Sequence, residues 1–524
     1  MAKLNLKVVI ASSLFAAGLL VSFQNFSTDS NAGSVPPTSA PRSLPSGFWG
    51  VNIENAYGQD FSWTDSEVVN AIQQTGMQTL RIPGGDFANY WDWKTGLVWP
   101  ATASDPGNSG YGPPSPPDTL SLAKLLMNKL GAGANPLYVL NVMTYNNATL
   151  LCSGDVDDPS KLATCLKPAM TYQIDMLKNA KAAGLPVQNL ELGNEFFWQT
   201  SDQADAFPTA TDYAKEMNEW ISTLNQSYSG VRLGVVGSIP APYSNVAKET
   251  ADWNAAVLKD LKGAQALTLH RYDGIVDGGV YDPETADQAL GYVFQDWTSI
   301  VDGQINPIKN AGLETWVTEF GGFSDCTKMS RLSGTWAEGL YQAEMALQFL
   351  ANADVTMIQL YNVTGSTSSL YFQNSHTYWN GCTGTTFPFE GASGQLTATG
   401  QAYALISKAL AGATSVAQLN LPVQKHYPTQ PPGGWPTPGY PSATGILIAS
   451  AKVTQWLMIN FVEAPLTLSY SGMGKGSIET LSYPALTTSV KTDSGYTHLE
   501  PEPFNGSSFT LPAYSISRIS VPVN

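Results

Sequence analysis

The chain has 524 residues, a net charge of −16 and a pI near 4.6, with 43% hydrophobic and 13% charged residues. That length builds two domains, or one large barrel with an appendage, around full cores. A net charge of this sign and size repels polyanions and excludes nucleic acid as a partner. At the N-terminus, Lys3 and Lys7 precede an apolar run from Val8 to Val21. The run has the length of an export-signal core and is short for a membrane span, so residues 1–23 read as a signal peptide or N-terminal anchor. No other segment is apolar for long enough to cross a bilayer. Residues 24–45, rich in Ser, Thr and Pro, read as a flexible linker.

From residue 46 a β/α alternation begins. Predicted strands are Phe48–Ile53, Thr79–Pro83, Leu137–Val142, Asn189–Gly193, Arg232–Val236, Ala266–His270, Thr315–Thr318 and Thr356–Tyr361. Amphipathic helical stretches lie between them, including Asp118–Leu130, Pro168–Ala183, Thr209–Leu224, Asp287–Ile308 and Trp336–Ala351, with a last helix at Ala398–Ala411. Eight strand–helix units predict an α/β fold, a (β/α)8 TIM barrel over residues 46–411. No Gly-x-Gly-x-x-Gly follows a strand. After Ala411 helical periodicity stops, and short alternating runs separated by turn residues predict a C-terminal antiparallel β-sandwich over 412–524. The runs are Gly445–Ala449, Thr454–Phe461, Leu466–Tyr470, Ser477–Ser482, Phe509–Leu511 and Ser515–Val521.

Four cysteines suit an oxidising compartment, and the simplest of three pairings is Cys152–Cys165 with Cys326–Cys382. No Cys-x-x-Cys occurs and the four histidines are scattered, so neither a metal nor a cofactor is expected. Asp155, Asp157 and Asp158 read as a solvated acidic turn. Long loops follow the second and eighth strands and carry Trp91, Trp93, Trp99 and Tyr111, then Tyr371, Phe372, Tyr378 and Trp379. Barrel enzymes build their sites at the strand ends where these loops arise. The rings there suit the walls of a sugar cleft; packing of the loops themselves is the alternative.

Two glutamates close strand-like runs: Glu195 after Leu190-Glu191-Leu192-Gly193-Asn194, and Glu319 after Thr315-Trp316-Val317-Thr318. At the ends of strands four and seven they face each other across one barrel mouth. Glycosidic bond cleavage needs two such carboxyl groups, one a proton donor and the other a nucleophile or base. Phe196, Phe197 and Trp198 would desolvate Glu195 and raise its pKa, as an acid requires. Arg81, in Leu80-Arg81-Ile82-Pro83-Gly84-Gly85, is placed to keep Glu319 ionised. Glu191 lies roughly 13 Å deeper along its strand than Glu195 and reads as an interior partner, of Arg81 for instance. His270 and Tyr272 end strand six. Glu54 and Asn55 end strand one, where either contact with a sugar hydroxyl or plain solvation is open to them.

Gly193-Asn194-Glu195 on strand four with Glu319 on strand seven resembles the retaining (β/α)8 glycoside hydrolases of clan A, over about residues 46–411. The resemblance implies Glu195 as acid/base, Glu319 as nucleophile and Asn194 on the sugar 2-hydroxyl. It also implies Arg81 beside the nucleophile, and His270 or Tyr272 orienting it. Arg81-Ile82-Pro83-Gly84-Gly85 followed by Tyr90-Trp91-Asp92-Trp93 is most similar to the arabinofuranosidase-type branch. The fused sandwich resembles branches that include arabinofuranosidases, β-xylosidases and β-glucuronidases. Two departures stand out. Phe320 follows Glu319 where the heparanase-like branch has a uronate-holding tyrosine, and Gln359 and Tyr361 stand where the clan usually has a strand-eight tryptophan.

The reading is an exported hydrolase of O-glycosidic bonds acting by double displacement. Glu195 and Glu319 are its catalytic pair; Arg81, Asn194, His270, Tyr272, Trp91, Trp198, Tyr361 and Glu54 are its substrate-binding set. The partner is a carbohydrate, and no protein partner is evident. The alternatives are a transglycosylase using the same residues and a non-catalytic carbohydrate-binding protein.

Overall fold

The structure is a computed structural model. It describes residues 39–523 except 55–61, 95, 99–118, 132, 144–158, 200, 240–247, 274–284, 296, 323–331, 333, 365–368, 371–376, 381–384, 389–394, 429–438, 470–472, 489–496 and 507. The signal or anchor segment 1–23 therefore lies outside the described residues. So do Asn55, the acidic turn at 155–158, and Trp99, Tyr111, Tyr371 and Phe372. The disulfide pairings Cys152–Cys165 and Cys326–Cys382 also involve side chains outside them, as do the rings of Tyr378 and Trp379. Among the described residues no helix is long and apolar enough to cross a membrane.

Eight parallel strands close into a barrel in chain order: β1 (Trp49–Asn52), β2 (Thr79–Ile82), β3 (Asn135–Val139), β4 (Asn189–Leu192), β5 (Arg232–Val236), β6 (Ala266–Asp273), β7 (Glu314–Gly322) and β8 (Val355–Leu360). The strands are almost wholly buried; apolar residues face the helices, while the barrel interior also takes polar ones, among them Asn52, Thr79, Arg81, Glu191, Thr268 and Gln359. The interior holds its own small cluster of Leu137, Ala266, Trp316 and Met357. Gly234 on β5 makes room for it, since a Cβ there would lie 2.7 Å from the Trp316 ring. Thr119, Thr209 and Thr397 cap three of the outer helices by accepting the N–H groups of Leu122, Asp212 and Gly400.

The helix expected over Asp287–Ile308 is found as Ala286–Gln295 and, past residue 296, which is not described, as Trp297–Ile300 running through a π-turn at Val301–Ile305 into Asn306–Asn310. Pro307 has no N–H to donate into the previous turn. The ladder shifts register there, with Asn306 N–H bonded to Val301 O.

The C-terminal sheet has seven strands in the order Arg42–Ser43, Ala413–Gln418, Ala443–Ser450, Val453–Asn460, Ser515–Pro522, Gly476–Ser482, Thr497–Phe504. A two-stranded ribbon, Leu466–Ser469 with Ser508–Leu511, accompanies it. Alternation along the strands divides two cores. Ile446, Ile448, Leu457, Ile459 and Ile516 join the core of the barrel, while Leu447, Trp456, Met458 and Ile519 pack with Leu468, Phe509 and Leu511.

Two strands of this sheet, Ala413–Gln418 and Thr497–Phe504, escape the sequence reading. The end of the predicted linker is corrected as well: Arg42 and Ser43 pair with Val416 and Ser415. Arg42 is anchored because its guanidinium, buried over the Phe48 ring, donates to Asn352 O at 2.7 Å and Val355 O at 2.5 Å.

The sheet is fastened to the helix that follows β7, Trp336–Ala351. Trp336 N–H donates to Thr488 O and Ala337 N–H to Leu486 O, the Trp336 indole N–H donates to Tyr514 O at 2.5 Å, and its ring meets Tyr483 at 4.9 Å. Replacing Trp336 by Ala removes a wholly buried ring and orphans a carbonyl. It is expected to cost about 3–5 kcal/mol, read as a lowered urea midpoint; a loss below about 1 kcal/mol would contradict this docking.

Candidate active site

At the C-terminal mouth of the barrel the Arg81 guanidinium is fully buried and donates in four directions. Nε reaches Glu191 Oε2 at 2.6 Å, Nη1 reaches Glu319 Oε1 at 2.5 Å and Asn52 Oδ1 at 2.9 Å, and Nη2 reaches Asn194 Oδ1 at 2.7 Å. Glu319 Oε2 accepts the Tyr272 hydroxyl at 2.6 Å. Both carboxylate oxygens of Glu319 are therefore held.

Glu195 lies on the opposite side, with Oε1 2.6 Å from His270 Nδ1 and Oε2 accepting the Trp198 indole N–H at 2.9 Å. A carboxylate oxygen of Glu195, one of Glu319 and a ring nitrogen of His270 lie within 4.8 Å of one another. The Glu195–His270 contact is a direct hydrogen bond, not the spacing of donors arranged around an ion at bonds of about 2.0–2.2 Å.

Two backbone irregularities aim these side chains. Gly193 has φ 93° and Glu195 sits in the left-handed region at φ 49°, so β4 stops alternating and Asn194 and Glu195 both face the mouth. A Cβ on Gly193 would also strike Phe196 at 2.1 Å. On β7, Val317 pairs with Leu269 and Glu319 with His270, which leaves Thr318 as the extra residue of a bulge. Thr318 and Glu319, adjacent in sequence, consequently both point inward. The Thr318 hydroxyl donates to Glu191 Oε1 at 2.7 Å and lies 3.1 Å from His270 Nε2.

The electrostatics divide the carboxyl groups. Burial on its own would raise Glu319, but the charges of His270 and Arg81 and the Tyr272 hydrogen bond outweigh it and hold Glu319 below its ordinary value. His270 goes the other way: burial lowers it, and the neighbouring Glu319 and Glu195 raise it above the usual imidazole value. Burial, with the Glu319 charge added, pushes Glu54 well above the carboxylate range. Tyr272 is likewise pushed well up by burial and by the two glutamates.

Of the residues singled out in the sequence, the mouth gathers Arg81, Asn194, Glu195, His270, Tyr272, Trp198 and Glu319. Tyr361 stands edge-on to Tyr272 at 6.0 Å, and Glu54 lies buried against Gly85, where a Cβ would come within 2.2 Å of its carboxyl and φ is +60°. Trp91 is corrected. It is wholly buried, as are Tyr90 and most of Trp93, so it presents no open face to a ligand. The described stretch 90–94 is packed down, with Trp93 against Tyr172, Lys94 over both rings, and the Tyr172 hydroxyl on Asp92. Trp198, by contrast, is 47% exposed.

Glu191 is not remote. One imidazole separates it from Glu195, with His270 Nε2 4.0 Å from Glu191 Oε1. Sequence reasoning missed Asn52, Thr318, Asp86 and Asn89. Asn89 exchanges two hydrogen bonds with the Asn194 backbone, at 2.9 and 2.7 Å, and Asp86 accepts the Asn194 amide at 3.0 Å. Asn52 shares strand parity with Glu54 and was findable; the other three depend on a bulge and a 3-10 turn.

The fold is that of clan A glycoside hydrolases, a closed parallel barrel carrying an antiparallel sandwich. Among solved structures it resembles the family 51 α-L-arabinofuranosidase from Bifidobacterium longum, with a TM-score of 0.68 and 13% identity over 95% of this chain and 100% of that one. It also resembles the α-L-arabinofuranosidase from Thermotoga maritima in its arabinose complex, at 0.62 and 14% over 94% and 98%. A third is the 4-O-α-L-rhamnosyl-β-D-glucuronidase from Fusarium oxysporum, at 0.58 and 14% over 94% and 99%. At these identities the likeness is one of fold. No family model matches the sequence, and no curated protein matches it.

Arg81→Met should cost about 3–5 kcal/mol, because it leaves buried carboxyl groups without a counter-charge. Glu319, held low in the wild type, contributes stability that is present above the ordinary carboxylate pKa and lost as pH falls through its lowered one. Without Arg81 its burial acts in the opposite sense. The deficit is therefore largest at neutral pH and shrinks toward pH ~4. Urea midpoints at pH 4.5 and 7.5 check it; equal deficits at both would refute the assignment.

Proposed function

We propose that the chain is a retaining glycoside hydrolase, exported from the cytoplasm and acting on a neutral carbohydrate. The observation that carries the proposal is the approach of the Glu195 and Glu319 carboxyl groups to within 4.8 Å across the barrel mouth. Retaining enzymes hold their pair about 5–5.5 Å apart, and inverting ones hold theirs about 6.5–9.5 Å apart to admit a water.

Glu319, kept ionised by the charges of His270 and Arg81 and oriented by Tyr272, attacks the anomeric carbon. Glu195 gives its proton to the departing glycosidic oxygen, and a glycosyl ester forms on Glu319. Water then attacks the same carbon as Glu195 takes its proton, which frees the sugar and restores Glu319 as carboxylate. Asn194, fixed by Arg81, Asp86 and Asn89, presents its amide toward the sugar bound between the two glutamates. Trp198 offers its exposed ring on the Glu195 side, where the leaving group departs.

The leading substrate class is the α-L-arabinofuranosides. That choice rests on the fold likeness to arabinofuranosidases and on the Arg81-to-Gly85 and Tyr90-to-Trp93 segments. Phe320 after Glu319 argues against a uronate. Export rests on the Lys3–Lys7 and Val8–Val21 pattern.

A panel of aryl arabinofuranoside, xyloside, glucoside, galactoside and glucuronide tests the reading. One of these should turn over with retained anomeric configuration. Glu319→Gln should lower the rate by at least about 10³-fold, and Glu195→Gln should depend steeply on leaving-group acidity. An inverted product would refute double displacement. Silence across the panel and with polymeric arabinan, in a folded protein, would refute the hydrolase.

A further inference from the structure

Beneath the two glutamates runs a continuous set of hydrogen bonds with a definite direction. Glu191 Oε2 accepts from Arg81 Nε at 2.6 Å and Glu191 Oε1 accepts from the Thr318 hydroxyl at 2.7 Å. The single Thr318 proton is thereby committed to Glu191. Its oxygen, 3.1 Å from His270 Nε2, has only a lone pair to offer. His270 Nε2 must therefore carry a hydrogen, and the opposite nitrogen, Nδ1, faces Glu195 Oε1 at 2.6 Å.

We propose that Thr318, held by Glu191, is a positioning residue that pins one imidazole proton at Nε2 and so leaves a single mobile proton between His270 Nδ1 and the Glu195 carboxyl. This inference deepens the hydrolase reading and rests on Glu195 as its acid/base. With the pin in place, the proton that departs to the glycosidic oxygen comes from the Glu195–His270 pair. The same pair receives the proton of the attacking water, so the count closes over one turnover. Without the pin, the pair can give up one of its two protons to solvent from Nε2, and the remaining Nδ1–H then holds Glu195 as a carboxylate with nothing to donate. The groups facing the ring from the surrounding strands are Glu191 and Glu195 from β4, Glu319 from β7 and Arg81 from β2. Thr318 meets the same ring without a charge, brought to it by the β7 bulge.

The test compares Thr318→Val with Thr318→Ser. Valine keeps the shape and removes the oxygen, while serine keeps the oxygen. For aryl glycosides with poor leaving groups, kcat/KM should fall about 10-fold or more in the valine variant, within the range that general acid catalysis supplies. The pH profile should shift on its alkaline limb. The dinitrophenyl glycoside, which departs without a proton, should change less than about 3-fold, and serine should restore the wild-type pattern. An equal loss on good and poor leaving groups would overturn the proposal in favour of a merely structural threonine.

A second readout does not need turnover. The chain has four histidines, so nitrogen NMR of protein labelled at histidine, assigned with His270→Asn, reports the His270 tautomer directly. The wild type should be protonated at Nε2, and the valine variant should show loss of that form. A tautomer unchanged by the valine variant would overturn the proposal even if no substrate were found. Failure of the hydrolase reading alone would leave that NMR result standing.

Discussion

One buried cation organises the mouth of this barrel. Arg81 donates to Asn52 on β1, to Glu191 and Asn194 on and just after β4, and to Glu319 on β7, while itself belonging to β2. A guanidinium presents its donors in a rigid plane, so the positions of four strand ends are tied to one another. A lysine could meet one of those acceptors as a point charge but not all of them. Burial raises the stakes, because every oxygen facing Arg81 is shielded from water and loses a charged donor if the cation goes. Arg81, which together with the charge of His270 holds Glu319 below its ordinary value, is also the group that holds the strand ends together.

The second constraint is the backbone. A strand shows alternate residues to the barrel interior, so neighbours in sequence cannot both face the same site. At Asn194–Glu195 and again at Thr318–Glu319 both neighbours do. The first case uses Gly193 and a left-handed Glu195, and the second uses a bulge. A non-glycine residue in the left-handed region costs on the order of 1–3 kcal/mol. The hydrogen bonds of Glu195 to His270 and Trp198 offset it and fix the carboxyl where the strand alone would not send it.

This is also where the sequence stops being legible. The eight strands and the C-terminal β texture follow from apolar runs and turn residues, and the strand ends name Glu195, Glu319, Arg81, His270 and Tyr272. Period-two reasoning, however, hides Thr318 precisely because it is next to Glu319. It also places Glu191 a long way below Glu195, when the curled chain end leaves only an imidazole between them. Trp91 was misread for a different reason: an aromatic loop packed down on itself and an aromatic loop lining a cleft have the same composition. Trp198 could be told apart only by its exposure. Arg42–Ser43 looked like tether because two residues carry no periodicity; a single buried arginine decides their place.

The C-terminal sheet belongs to the same mechanical unit. Phe320, next to Glu319, meets Phe349 at 5.2 Å on the Trp336–Ala351 helix, which is buried from Trp336 to Leu350. That helix is pinned to the sandwich at its start by the Trp336 and Ala337 bonds and along its length by Thr444, whose hydroxyl donates to Glu344. Burial pushes Glu344 up to about 8, against which the Thr444 hydroxyl and the Gln348 amide donate to its two oxygens. A second fastening is Glu479, whose buried carboxylate bridges the half-exposed Lys408 on the last barrel helix and the largely buried Arg518 in the sheet. The route from Glu319 through Phe320 and Phe349 to the sheet is continuous packed matter. The sandwich is therefore part of what holds the β7 carboxylate in position, and the helix it covers would otherwise expose one apolar side to water.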